Sequence, residues 1–206
     1  PNVNRGGSFI NGDGIPTAAV IFTGYTDVVR LGGGGSSVDF SPVANTVVYS
    51  APANQNIYPT THHKLTCSSD NTASVNGSTV VNSLLTISGT TIVDVTGGTD
   101  LTGAGSLTMT GTSKLRLSSA GTVPALTGAG NSLAAGTTIE FYRAGAQTAA
   151  SSASYPYQNV LISGNAGSAV NLNTVSSIAG NLTVNNAGSF NNTAGTPPLI
   201  TVLGDF

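Results

Sequence analysis

The groups with which this chain could do acid–base or metal chemistry are few: an adjacent pair, His62-His63, and eight carboxylates at Asp13, Asp27, Asp39, Asp70, Asp94, Asp100, Glu140 and Asp205. Cleaving a glycan on an extended β scaffold needs carboxylates converging on one face, or a carboxylate beside a cation. Asp94 and Asp100 come nearest to sharing a face, but no basic partner recurs at turn spacing. All eight acids therefore read as solvated turn or strand residues. A metal usually takes three or four ligands, and neighbours on an extended strand point to opposite sides. His62-His63 thus reads as part of a polar loop after Tyr58-Pro59. Asn11-Gly12-Asp13-Gly14 has the turn residues of a calcium loop without its alternating acids and closing Glu, so turn chemistry explains it. Two adjacent histidines leave no Ser/His/Asp set to infer. Outward threonine rows such as Thr108/Thr110 would suit ice or a glycan, and equally the ordinary β preference of threonine. No catalytic residue, cofactor site or metal site is expected.

Composition narrows the setting of these groups. Of the 206 residues, 7% are charged and 39% apolar, with a net charge of −2. Disorder needs low hydrophobicity with high net charge, so the chain folds, and Ser, Thr, Asn and Gly keep it wetted. The six cations, Arg5, Arg30, Lys64, Lys114, Arg116 and Arg143, are scattered. They make neither the basic stripe that nucleic acid requires nor a patch for an anionic membrane surface. No run of apolar residues is long enough to cross a bilayer as a helix. The single cysteine, Cys67, rules out an internal disulfide. With no leader visible ahead of Pro1-Asn2, a piece of a longer secreted polypeptide is expected.

The elements that must position any site are short. From Val20 onward β-prone runs recur with Gly or Asn between them, among them VIFTG, TVVY, LLTIS, TIVDV, SLTMTG, KLRL, TTIEFY, NVLIS and NLTVN. This is the strand-and-turn pattern of an all-β chain. Residues 1–19 look irregular, and Ala144–Ser154 is the one stretch with a helical composition. The chain also repeats itself. Tyr58-Pro59 lies 97 positions before Tyr155-Pro156, and Lys64–Ser68 lies 95 before Asn159–Ser163. Thr46–Tyr49 and Gln55 precede Thr138–Phe141 and Gln147 by 92. Arg30-Leu31 precedes Arg116-Leu117 by 86, so the offset drifts as loops lengthen.

Two architectures fit a unit of roughly 90–97 residues present almost twice, over about 20–110 and 111–206. One is a right-handed parallel β-helix, a solenoid with about four turns per unit, each strand bonding to the turns below and above it. The other is a tandem of immunoglobulin-like sandwiches. The absence of Trp and of a Cys pair, with very short strands, favours a continuous solenoid over 20–206. Alternation then turns Leu65, Cys67, Leu85, Ile87, Leu107, Met109, Leu115, Leu117, Val160, Ile162, Leu182 and Val184 inward. Thr66, Thr86, Thr108, Leu161 and Thr183 face outward. Cys67 aligns with Ile162 and reads as a small buried hydrophobe rather than a reactive thiol.

The run from Thr137 to Asn192 resembles the repeat of large secreted surface proteins of Bacteroidota. The match rests on Phe141 or Tyr142, Gln147-Thr148, Tyr157, Asn159, Val160, Ile162-Ser163-Gly164, Gly180–Val184 and Phe190. A sparser first copy keeps Tyr49, Gln55, Tyr58, Leu65, Ser68 and Leu85–Ile87. The resemblance implies a non-catalytic segment of an extracellular, cell-surface adhesin or filament exported by type IX secretion. Its partners would be further copies of itself or adjoining repeats, and surface glycans. A carbohydrate-active β-helix enzyme or a glycan-binding module is the alternative. The sequons at Asn76-Gly77-Ser78, Asn181-Leu182-Thr183 and Asn191-Asn192-Thr193 read as asparagines at turns.

Overall fold

The structure, a computed structural model, describes residues 40–41, 43, 45–96, 100–164, 169–185 and 200–204. It also gives the backbone of the strands Asn2–Asn4, Ser8–Ile10, Ala19–Phe22, Arg30–Gly32, Ser37–Asp39 and Ser189–Asn191. Every strand pairing among them is parallel. Tandem sandwiches, which are built from antiparallel sheets, are therefore excluded, and the chain is an all-β parallel solenoid.

Register defines the turns. On one face Gln55, Ala73, Val93, Leu115, Ile139, Val160 and Leu182 stand above one another, so the chain comes back after 18, 20, 22, 24, 21 and 22 residues. A second sheet stacks Val47, Leu65, Leu85 and Leu107, and beside them Tyr49, Cys67, Ile87 and Met109. Because side chains alternate along a strand, each of these rows points wholly inward. All eight residues of the second sheet named here are at most 1% exposed. Burying each aliphatic side chain stabilises by about 1.5–3 kcal/mol, which lets a chain so poor in ion pairs hold together.

The corner between the two sheets explains one feature of the sequence. Asp70, Gly89, Gly111 and Gly136 occupy it with φ of 55°, 68°, 69° and 92°. Left-handed backbone suits Gly and, less readily, Asp. A Cβ on Gly111 would also lie 2.5 Å from the carbonyl oxygen of Gly89 in the turn below. Just past the corner the hydroxyls of Thr91, Ser113 and Thr137 are fully buried. They are bonded to backbone at Asp70, Ile87 and Ala134 respectively.

Two sequence expectations are corrected, for His62-His63 and for Val184. Ala144–Ser154, the one stretch of helical composition in a chain read as all-β, forms the strand Ala146–Ala149 and a turn, in keeping with that reading. Pairing to the strands Thr122–Val123 and Ala169–Asn171 overrides its alanine content. His62-His63 lies in the strand Thr61–Cys67, not in a loop. Val184 is 36% exposed, although Leu182 beside it is buried. Its strand is the last of its sheet, so no further described strand covers it. The other inward and outward assignments agree with the observed burial.

Candidate functional site: two outward ladders

The strands Ile92–Val95, Lys114–Leu117 and Thr138–Phe141 present Asp94, Arg116 and Glu140 side by side on consecutive turns. Adjacent parallel strands lie about 4.8 Å apart, so opposite charges set in register must meet. Arg116 Nη1 lies 3.0 Å from Asp94 Oδ2, and its Nε lies 3.1 Å from Glu140 Oε2. Lys114 Nζ reaches the same Glu140 oxygen at 3.2 Å. Ser163 on the next turn donates its hydroxyl to Glu140 Oε1. Tyr142 donates to Asp94 Oδ1 at 2.7 Å, and the Arg116 guanidinium sits 4.4 Å above its ring. This geometry supports a cation–π contact.

Electrostatics fixes the protonation states here. Burial by itself would raise the pKa of Glu140, but the Ser163 hydroxyl and the charges of Arg116 and Lys114 outweigh it and hold the carboxyl below its ordinary range. Burial, with the Asp94 carboxylate accepting its proton, pushes the Tyr142 phenol up to about 12. Glu140 is therefore held ionised, and the Tyr142 phenol protonated, at neutral pH.

This ladder also overturns the expectation that no cation recurs at turn spacing. Arg116 stands one turn from Asp94, and Glu140 one turn further. Asp94 and Asp100 do not share a face, because Asp100 precedes the strand Leu101–Gly103 of the other sheet. Asp70 holds the left-handed corner, its Oδ1 accepting from the Thr90 N–H at 2.8 Å. The side chains of Asp13, Asp27, Asp39 and Asp205, and the whole of Asn11–Gly14, lie outside the described residues.

The second sheet turns a different row outward. Thr66, Thr86 and Thr108 are direct neighbours on three turns, with Ser132 above Thr108. Ser68, Ser88 and Thr110 follow them two residues on, so Thr108/Thr110 is one rung of a hydroxyl-bearing face. None of the hydroxyls of Thr66, Thr86, Thr108, Ser68, Ser88 and Thr110 bonds to another described residue. Lys64, Leu84 and Ser106 border the row.

Other singled-out residues are structural. Cys67 is fully buried and burial pushes its thiol up to about 12. His62 is fully buried while His63 is partly exposed, as strand alternation requires. Asn76 is exposed and bridges turns, donating to Asn56 Oδ1 at 2.8 Å and accepting from Thr96 Oγ1 at 2.7 Å. A cavity of about 390 Å³ opens between residues 122–128 and 150–155, where its Tyr155 hydroxyl donates to the Leu126 carbonyl. Its lining carries no carboxylate, amine or imidazole.

The residues of the repeated motif bond to backbone. Gln147 Oε1 accepts from the Arg143 N–H, and its Nε2 donates to the carbonyls of Leu117 and Ser119 in the turn below. In the first copy Gln55 Oε1 accepts in the same way from the Ala51 N–H, also four residues back. Tyr157 donates to the Ala150 carbonyl, and Asn159 to that of Thr137. No family model, curated protein or solved structure matches the chain. Fold and ladders together define a parallel β-solenoid of stacked turns with a repeated motif.

Proposed function

We propose that the chain is a rigid, non-catalytic stalk segment of an extracellular bacterial surface adhesin or filament, of the Bacteroidota repeat type that its motif resembles. One observation carries this reading. The motif residues Gln147 and Asn159 bond to backbone carbonyls of the turn below, while Tyr157 and, in the first copy, Gln55 hold the backbone of their own turn. A motif repeated for that purpose maintains a scaffold. The most acid-rich cluster is self-neutralised on an outward strand face, which supports an absence of catalysis. Negative-stain images of surface material from the source cell should show thin rods carrying the chain. Isolated globular particles, or a wholly intracellular distribution by immunolabelling, would overturn the proposal.

The threonine row favours a second reading, a module whose hydroxyl face binds a glycan or ice. Binding to an immobilised polysaccharide panel, or arrest of ice growth, that is lost in Thr86→Lys would support it. No binding to either would count against it.

A further inference from the structure

We infer that His62 is an acid-operated latch on the corner between the strands Gln55–Ile57 and Thr61–Cys67: a proton added at its Nδ1 releases that corner and the turn beneath it. The imidazole is fully buried, stacked on Phe40 with ring centroids 5.3 Å apart and planes 21° apart. Val81 is its register neighbour on the turn above. Nε2 stands 3.1 Å from the Tyr58 carbonyl oxygen and so carries the ring's hydrogen, while Nδ1 is buried with no partner. The N–H of the same Tyr58 donates to the Tyr49 hydroxyl at 2.9 Å. Tyr58 is thus held at both backbone groups by buried side chains. A second ring proton would put an unpartnered charge between Phe40 and Val81, a cost met by protonating only when the corner opens.

Among the described residues the surroundings offer that charge no counter-ion. The strand Thr79–Ile87 above carries no ionisable residue, and Thr46–Tyr49 below carries only Tyr49. On its own strand His62 is followed by His63 and Lys64, both cationic when charged, and by buried Cys67. Asp39, next to Phe40, lies outside the residues whose side chains are described. Burial lowers the imidazole from 6.5 to about 4, against which the Tyr58 carbonyl acts weakly. A depressed folded pKa fixes the sign: the latch is closed above pH 6.5 and opens as pH falls through about 4.

Amide exchange reads the latch directly. Between pH 6.5 and pH 4, protection at Tyr58 and His63, whose N–H groups bond to Tyr49 Oη and the Phe40 carbonyl, should fall more than tenfold. Protection in Leu115 and Ile139 should fall less. His62→Phe keeps the stack and should abolish the extra loss at the corner. If that variant does not fold, the ring itself is read by ¹⁵N chemical shift in the native chain. A neutral Nε2–H tautomer persisting below pH 6.5 supports the latch, and an ordinary titration near 6.5 overturns it. Equal loss at both sites would also overturn it.

Discussion

The two outward rows, Asp94–Arg116–Glu140 and Thr66–Thr86–Thr108, are built on the same parallel register and differ only in what the register juxtaposes. In-register stacking brings each side chain against its own column at about 4.8 Å. Charges placed so must alternate, and here each is further tied by Lys114, Ser163 or Tyr142. Threonines at the same spacing need no partner, since water serves their hydroxyls. A solenoid wall therefore accepts hydroxyls on any turn, whereas charges that adjoin on consecutive turns must be opposite in sign. The 7% charge content is consistent with that rule.

The comparison is broken hardest from beneath. Leu115, the inward neighbour of Arg116, is fully buried, and Leu115→Ala should cost about 2–5 kcal/mol in urea denaturation through the cavity it leaves. A loss below about 1 kcal/mol would mean that this wall is not packed on a core. Arg116→Ala should cost less, about 1–3 kcal/mol, because Lys114 still faces Glu140 while Asp94 loses its cation. Arg116→Lys should recover only part of it, lacking the fork that spans both carboxylates.

Acid separates the rows further. Glu140 has a folded pKa held below its ordinary 4.5, so its stabilisation is complete above that value and is lost as pH falls through the lowered one. Glu140→Gln should flatten this part of the stability–pH curve, whereas substitutions in the threonine row should leave it unchanged. The smallest effect belongs to Thr86→Ala, within about 0.5 kcal/mol of the parent by thermal melting. A larger loss would show that the hydroxyl row, too, carries an interaction of its own.

How much of this could be read from the residues depends on the distance over which each feature is set. Inward and outward alternation is a property of a few consecutive residues, so Leu85-Thr86-Ile87 and Leu107-Thr108-Met109 are legible, and so is the burial of Cys67. The left-handed corners are legible from Gly89, Gly111 and Gly136. The charged ladder was not, because turn length changes from 18 to 24 residues along the wall. No fixed period brings Asp94, Arg116 and Glu140 together. Self-similarity misleads about position for the same reason. Ala73 and Val160, four turns apart in one column, differ by 87 residues, whereas the aligned Cys67 and Ile162 differ by 95 and lie in different sheets. The helical composition of Ala144–Ser154 was overruled by pairing partners more than twenty residues away on either side.

The central claim is that successive turns lie in parallel register, and disulfide trapping tests it most directly. Thr86→Cys with Thr108→Cys joins outward neighbours on consecutive turns, within the separation that a disulfide spans. Mild oxidation should link this pair rapidly in the native monomer, with native Cys67 unreacted. Thr86→Cys with Thr183→Cys, on different sheets, should stay reduced. Linking of the second pair and not the first would contradict the stacked-turn architecture and everything argued from it.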